Sequence, residues 1–197
     1  TATDTLSGVD HIEYAIDAGP WQKGQQAVID RDGKHILFYR AVDKAGNVEM
    51  ANRVTVRLDT TPPILRHAVV SPQGWTTKNV YTVTWQAPLD DSGIAGIWYK
   101  VGSAPLSATD GTFFAGDSPT HFSVPREGRF DLYLWLEDNA GNADYRHALR
   151  LAQAIWYDGT PPHIAVQLDG ERGSNGWFTG PISVSLQARD TVSGLNQ

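Results

Sequence analysis

Cysteine is absent from this 197-residue sequence. That absence removes disulfides, thiolate nucleophiles and Cys-based zinc sites together. No apolar run is long enough to cross a bilayer as a helix, so no membrane insertion is expected within the chain. Lys and Arg number 16 against 22 Asp and Glu, and they form no cluster. The electrostatic footprint of a nucleic-acid groove is therefore missing. The six histidines, at 11, 35, 67, 121, 147 and 163, fall into no metal-ligand spacing, and neither HExxH nor GxSxG occurs. Nor is there a helical apolar period over any long window. The chain is expected to be non-enzymatic, with no catalytic residue.

What is present is apolar residues at 41%, with 19 Gly, 11 Pro and 7 Trp, and much Val and Thr. That is an all-β profile. It is also repetitive. "ATDTLSGV" (2–9) returns as "APLDDSGI" (87–94) and "ARDTVSGL" (188–195). "DGKHILFYRAVDKAGN" (32–47) aligns without a gap to "EGRFDLYLWLEDNAGN" (127–142). "DTTPP" (59–63) returns as "DGTPP" (158–162), and "GWTT" (74–77) as "GWFT" (176–179). Trp75 and Trp177 stand 102 residues apart, Thr61 and Thr160 stand 99 apart. A unit of about a hundred residues is the size of an immunoglobulin-like sandwich. A Pro pair makes a stiff linker and a poor central strand, so T-P-P opens each unit. The expectation is tandem immunoglobulin-like β-sandwiches, one complete and two partial. Residues 1–59 are the back part of one repeat, strands C to G. Residues 60–158 are a complete repeat, with ten extra residues within 102–121. Residues 159–197 are the front part of a third, strands A and B. The whole reads as a window cut from a longer array.

Period-two alternation assigns the strands. Tyr81, Val83, Trp85 and Ala87 face inward on strand B, matched by Ile182, Val184, Leu186 and Ala188. Ile97, Tyr99 and Val101 lie on strand C, matched by Ile12, Tyr14 and Ile16. Leu132, Leu134 and Leu136 lie on strand F, matched by Leu37, Tyr39 and Ala41. Strand G is expected at 48–58 and 143–153. The D-x-A-G-N segments close the F–G hairpins, with Gly supplying positive φ and Asp bonding the turn backbone. On the outer face, Glu13 and Arg40 form a cross-strand ion pair that Trp98 and Trp135 replace in the complete repeat. Trp75 and Trp177 are expected against a sheet edge.

These motifs, A-x-D-x-x-S-G-V, I-x-Y-x-I-D, D-G-K-H-x-L-x-Y-R-A-V-D-K-A-G-N and T-P-P, resemble the Ig-like repeats of large bacterial surface and secreted proteins. The nearest group is the Ig-like type 3 or OmpL47-type domains. The resemblance implies a β-sandwich, export from a bacterial cell to its surface or surroundings, and service as spacer, adhesin segment or accessory domain.

Three site expectations follow. One end of a sandwich gathers the linker, the B–C loop and the F–G turn, hence Asp59, Asp90, Asp91 and Asp138. Asp158 and Asp190 gather at the next junction, and Asp4 and Asp43 pair in the first repeat. Clustered carboxylates suit Ca²⁺, which takes six to eight oxygens; capping of local turns is the alternative. Trp98, Tyr133 and Trp135 form an outward aromatic surface for a glycan or protein partner, unless the extra segment with Phe113, Phe114 and Phe122 covers them. Finally, the partial repeats at either end are either completed by a parent chain that continues beyond them or invite head-to-tail self-association by strand complementation. The function expected is a structural, adhesive spacer; a carbohydrate-binding accessory module of a secreted hydrolase is the alternative.

Overall fold

A computed structural model describes residues 2–116 and 120–195. It is all-β, with four sheets and a single 3₁₀ turn, Tyr145–His147, among the described residues. Contacts divide the chain into two compact units: Thr1–Ile64 with Pro88–Ala95 and Leu136–Asp144, and Leu65–Ala87 with Gly96–Trp135 and Tyr145–Gln197. The division does not follow chain order at residues 59 and 158, because the 88–95 loop and the 136–144 turn are bonded to Asp59.

In the first unit the strands are β1 (Val9–Ile16), β2 (Gln22–Lys23), β3 (Gly33–Asp43) and β4 (Asn52–Leu58). They form one antiparallel sheet in the order β2-β1-β3-β4. Tyr14 stands opposite Tyr39 and Leu37 opposite Val54, so these residues share a face with Ile12 and Val56. On that face Tyr39 and Val54 are 42% and 46% exposed, while Ile12, Tyr14, Leu37 and Val56 are half-buried. On the other face Glu13 stands opposite Arg40. The expected ion pair is made, with Arg40 Nη2 and Nε 2.8 and 2.9 Å from Glu13 Oε2. The same guanidinium lies 4.0 Å above the Trp21 ring, where the ring quadrupole adds to its binding.

The remaining strands are β5 (Ala68–Ser71), β6 (Trp75–Thr76), β7 (Tyr81–Trp85), β8 (Ile94–Val101), β9 (Thr112–Ala115), β10 (Thr120–Phe122), β11 (Gly128–Asp138), β12 (Leu149–Tyr157), β13 (His163–Asp169) and β14 (Ser183–Arg189). One sheet has the order β10-β7-β5 and another β6-β12-β11-β8-β9. The Phe122 ring joins them. It lies 5.7 Å from Tyr81 in its own sheet and 4.8 Å from Tyr99 in the other. The alternation read from the sequence holds in part: Tyr81, Val83, Ile97, Leu132, Leu134 and Leu136 are buried, but Trp85 is half-buried, Ala87 lies beyond the strand and is exposed, and the matched Ile182, Val184, Leu186 and Ala188 are exposed. Each of the buried side chains contributes about 1.5–3 kcal/mol relative to an exposed position. The result is a sandwich-like core between two facing sheets.

The extra residues depart from a plain surface loop; Asp117, Ser118 and Pro119 of that stretch lie outside the described residues. Part of the segment becomes β9, which pairs along β8 with Trp98 opposite Phe113. Lys100 holds the bend through Asp110, 2.7 Å away, whose carboxylate also accepts from Leu106 N. Gly111 is required there. A Cβ would fall 2.6 Å from Tyr99 O and 2.7 Å from the Trp135 ring.

Other expectations need correction. The strand expected at 143–153 runs Leu149–Tyr157, because Ala143 bridges to Glu137 and the 3₁₀ turn takes up the residues between. In the first unit, β4 likewise starts only at Asn52, after the bridge from Val42 to Val48. Trp75 does lie at a sheet edge, paired in parallel with Trp156. Trp177 does not, being 76% exposed. Its neighbours are exposed too: β13 and β14 pair only with each other, and every residue of both is exposed.

Leu134→Ala should cost about 2–5 kcal/mol in chemical unfolding, the usual range for an emptied core position. Leu186→Ala, on the exposed strand, should stay within about 0.5 kcal/mol.

Candidate functional site

The carboxylate of Asp59 has two jobs. Its Oδ1 accepts from Thr61 N of its own linker (3.2 Å), and its Oδ2 accepts from Ser92 N (2.9 Å). Asp158 repeats both: Oδ1 accepts from Thr160 N (3.0 Å) and Oδ2 from Ser193 N (2.8 Å). A second acid clamps each linker from the other side. Thr60 N and Thr61 Oγ1 donate to Asp32 (2.9 and 2.7 Å), as Gly159 N and Thr160 Oγ1 donate to Glu127 (2.9 and 2.8 Å). Thus each T-P-P junction is held by two carboxylates. They accept from the N–H and hydroxyl donors just before the prolines, which have no strand ladder to pair with.

The S-G loop supplies the donors. Asp4 Oδ1 accepts from Leu6 N and Gly8 N, and Asp190 Oδ1 from Val192 N and Gly194 N. In the middle loop Asp90 Oδ1 accepts from Ser92 N and Gly93 N. Asp90 sits one residue later in the alignment than Asp4 and Asp190, yet it caps the same loop. The residue aligned with them, Leu89, is fully exposed. Asp91 is also exposed and outside the carboxylate convergence.

The D-x-A-G-N turns share their Asp–Asn bonds. Asp43 Oδ1 accepts from Asn47 N and its Oδ2 from Asn47 Nδ2, both at 2.8 Å. Asp138 does the same with Asn142, at 2.8 and 2.9 Å. Gly46 and Gly141 have φ of 89° and 92°, which a side chain would strain. Lys44 N donates to Gly8 O, and Asn139 N to Gly93 O (3.0 and 2.8 Å). Asn142 makes one contact more: its Nδ2 donates to Asp59 O (3.0 Å).

Asp59, Asp90 and Asp138 therefore converge, each with a carboxylate oxygen within 4.8 Å of the others. Asp138 is 1% exposed. Hydrogen bonding from Ser92 holds the Asp59 carboxyl below its ordinary range, and the Thr61 amide adds to it. Burial, with the charges of Asp59 and Asp138 nearby, pushes Asp90 up. Such a group can share a proton between Asp59 and Asp90 or hold a cation through carboxylate oxygens. Asp158 and Asp190 come together with Ser193 in the same way, and Asp4 and Asp43 with Ser7.

The aromatic expectation is corrected. Trp98 and Trp135 do stack, 6.0 Å apart and 6° from parallel, where Glu13 and Arg40 pair in the first unit. They are, however, covered. Trp135 is 2% exposed, and its Nε1 donates to Ala108 O (2.9 Å) within the extra segment. Phe113 packs on Trp98 at 5.1 Å. Tyr133, opposite Arg150 on β12, is half-buried, and among the described residues no ring stacks on it. Sequence reasoning missed another aromatic cluster, in which Arg129 lies 5.0 and 4.1 Å from the rings of Trp75 and Trp156. It also missed Asp32 and Glu127, although both stand just before the glycine that opens the aligned D-G-K and E-G-R segments.

No protein-family model matches the chain. No curated protein matches it either.

The pKa directions give opposite signs. Asp43, Asp59 and Asp158 are depressed, so their contribution is present above the ordinary carboxyl range and lost as pH falls through their own values. Asp90 is raised, so its contribution is present in acid and lost as pH rises through its value. Asp90→Asn keeps the oxygen that caps Ser92 and Gly93 and offers Asp59 a neutral donor. It should raise the melting midpoint at neutral pH, with the gain vanishing in acid. Asp158→Asn should lower the midpoint at neutral pH.

Proposed function

We propose that the chain is built of tandem immunoglobulin-like modules, with boundaries at about residues 59/60 and 158/159. It would serve as a stiff, non-catalytic spacer in a bacterial surface or secreted protein, with adhesion part of that role. The observation that carries this is the identical junction at Asp59 and Asp158. The two stand 99 residues apart, and each ties a T-P-P linker to the S-G loop beyond it. A linker whose Thr and Gly donors are bonded to neighbouring carboxylates has few conformations to explore, which supports the stiff reading. Support also comes from the recurring turn at Asp43 and Asp138, and from the exchange of an ion pair for a stacked Trp pair at matching register positions. The bacterial and extracellular part rests on the motif resemblance alone.

The carbohydrate-binding alternative is weakened by the cover over Trp135. A glycan array should be blank under the spacer reading, and sugar binding would favour the alternative. A structural Ca²⁺ at Asp59, Asp90 and Asp138 is a second reading of the same junction, favoured by the 4.8 Å convergence of their oxygens. It requires the melting midpoint to rise with calcium and fall with chelator, and Asp138→Asn to abolish the difference.

Stiffness itself is measurable. Small-angle scattering of the chain should give a narrow distance distribution. Asp59→Ala with Asp158→Ala should broaden it. A profile unchanged by the double substitution would remove the clamp from the account.

A further inference from the structure

We propose that His35 and Asp17 form a pH-dependent latch on the first linker clamp: the doubly protonated ring holds the loop that carries Asp32, and loss of one ring proton lets that loop go. The inference rests on the modular reading above, and it gives one of the two junctions a control that the other lacks.

The ring is bonded on both sides to groups that can only accept. His35 Nδ1 lies 2.9 Å from Asp17 Oδ2, and Nε2 lies 2.9 Å from Arg31 O. A carbonyl oxygen has no proton to give. Nor has Asp17, because the bonds from His35 and from the Ile36 amide hold its carboxyl below the ordinary range. A neutral imidazole donates from one nitrogen only, so both bonds are made together only by the imidazolium. The His35 side chain is 14% exposed, which leaves water little room to stand in for a lost partner. Asp17 is itself fixed. Its φ is 53°, a left-handed conformation that an Asp enters at a cost, and its Oδ1 accepts from Ile36 N (2.8 Å).

Arg31 stands next to Asp32, one of the two acids on the first linker. The Asp32 oxygens accept from Thr60 N, Thr60 Oγ1 and Thr61 Oγ1, at 2.9, 2.9 and 2.7 Å. No strand lies between β2 and β3, so side-chain bonds must fix that loop. Among the described hydrogen bonds, His35 is the donor that holds the Arg31 carbonyl. His35 does not touch the linker. It acts through Arg31 and Asp32, as a positioning residue.

The second junction has the clamp without the control. Glu127 takes the place of Asp32 there, and its neighbour Arg126 lies 5.0 Å from the Phe130 ring. Phe130 is the residue that the sequence aligns with His35. The counterpart of Asp17 is Gly102. Asp17 N donates to Ile36 O as Gly102 N donates to Asp131 O, both at 2.8 Å, and Gly102 has a φ of 91°. A phenyl ring and a glycine have nothing to titrate.

Among the described residues, the charged groups facing the His35 ring are Asp17, from the turn after β1, and Arg31, from the loop before β3; Val56 stands opposite on β4. The Asp17 bond, then the Arg31 carbonyl, outweigh burial and the Arg31 charge, so the ring is raised above its ordinary value of 6.5. A raised group contributes fully below its ordinary value, and the contribution is lost as pH rises through the raised one. The latch is therefore closed in acid and opens toward the alkaline side.

Nuclear magnetic resonance of the full chain reads ring and clamp together. The His35 ring should titrate with a midpoint above 6.5. The Thr60 amide proton, bonded to Asp32, should move upfield with that same midpoint as its hydrogen bond weakens. The Gly159 amide, bonded to Glu127, should not follow it. His35→Phe with Asp17→Gly installs the pair found in the complete repeat, and the Thr60 amide should then stay in place across the range. Asp32→Ala checks the clamp itself and should move Thr60 at every pH. A His35 midpoint at or below 6.5 would overturn the inference. So would a Thr60 amide that stays flat while the ring titrates, or one that still titrates in the double variant. If Asp32→Ala leaves Thr60 where it was, the clamp is missing and the modular reading of this junction fails. If that variant moves Thr60 and pH does not, the latch alone fails.

Discussion

Two carboxylates, Asp59 and Asp158, set the order of the rest. Each gives one oxygen to its own linker and the other to the backbone of the S-G loop about thirty-five residues further on. A Thr-Pro-Pro stretch has few donors and cannot join a ladder, so side-chain acids must fix it or water will. Asp32 and Glu127 complete the clamp from the opposite side. The surrounding loops are arranged to make this possible: Asp90 and Asp190 cap the loops that present the Ser N–H, and Asp138 shapes the turn from which Asn142 reaches the linker.

The gathering of acids has a consequence. Where hydrogen-bond donors outweigh repulsion, as at Asp59 and Asp158, the ionised form is stabilised. Where burial and two neighbouring charges act together, as at Asp90, it is not. A junction of this kind ties the linker to the loop beyond it, while one carboxyl, Asp90, is pushed toward its protonated form.

Much of this was legible in the sequence, for stated physical reasons. Period-two alternation fixed which of Tyr81, Val83, Leu132 and Leu134 would be buried, because a strand offers only two faces. Comparing Glu13 and Arg40 with Trp98 and Trp135 predicted both cross-strand pairs, because a substitution at one position is answered directly opposite. Turn chemistry located Asp43 and Asp138. Other features were not legible. Asp90 lies one residue out of register with Asp4 and Asp190, since a loop can be capped from either neighbouring position. The cover over Trp135 depends on β9 following β8, which no periodicity in the extra segment announces. Arg129 meets Trp75 and Trp156 only through the parallel pairing of β6 and β12. The acids at 32 and 127 were visible as aligned residues, but their partners lie about thirty residues away across a linker.

The central claim is that one hydrogen-bonded junction occurs twice, and amide hydrogen exchange tests it directly. The Ser92 and Ser193 amides should both exchange slowly in the unaltered chain. Asp59→Ala should release Ser92 and leave Ser193 protected, and Asp158→Ala should do the reverse. Fast exchange at both serines from the start, or protection indifferent to either substitution, would contradict the account.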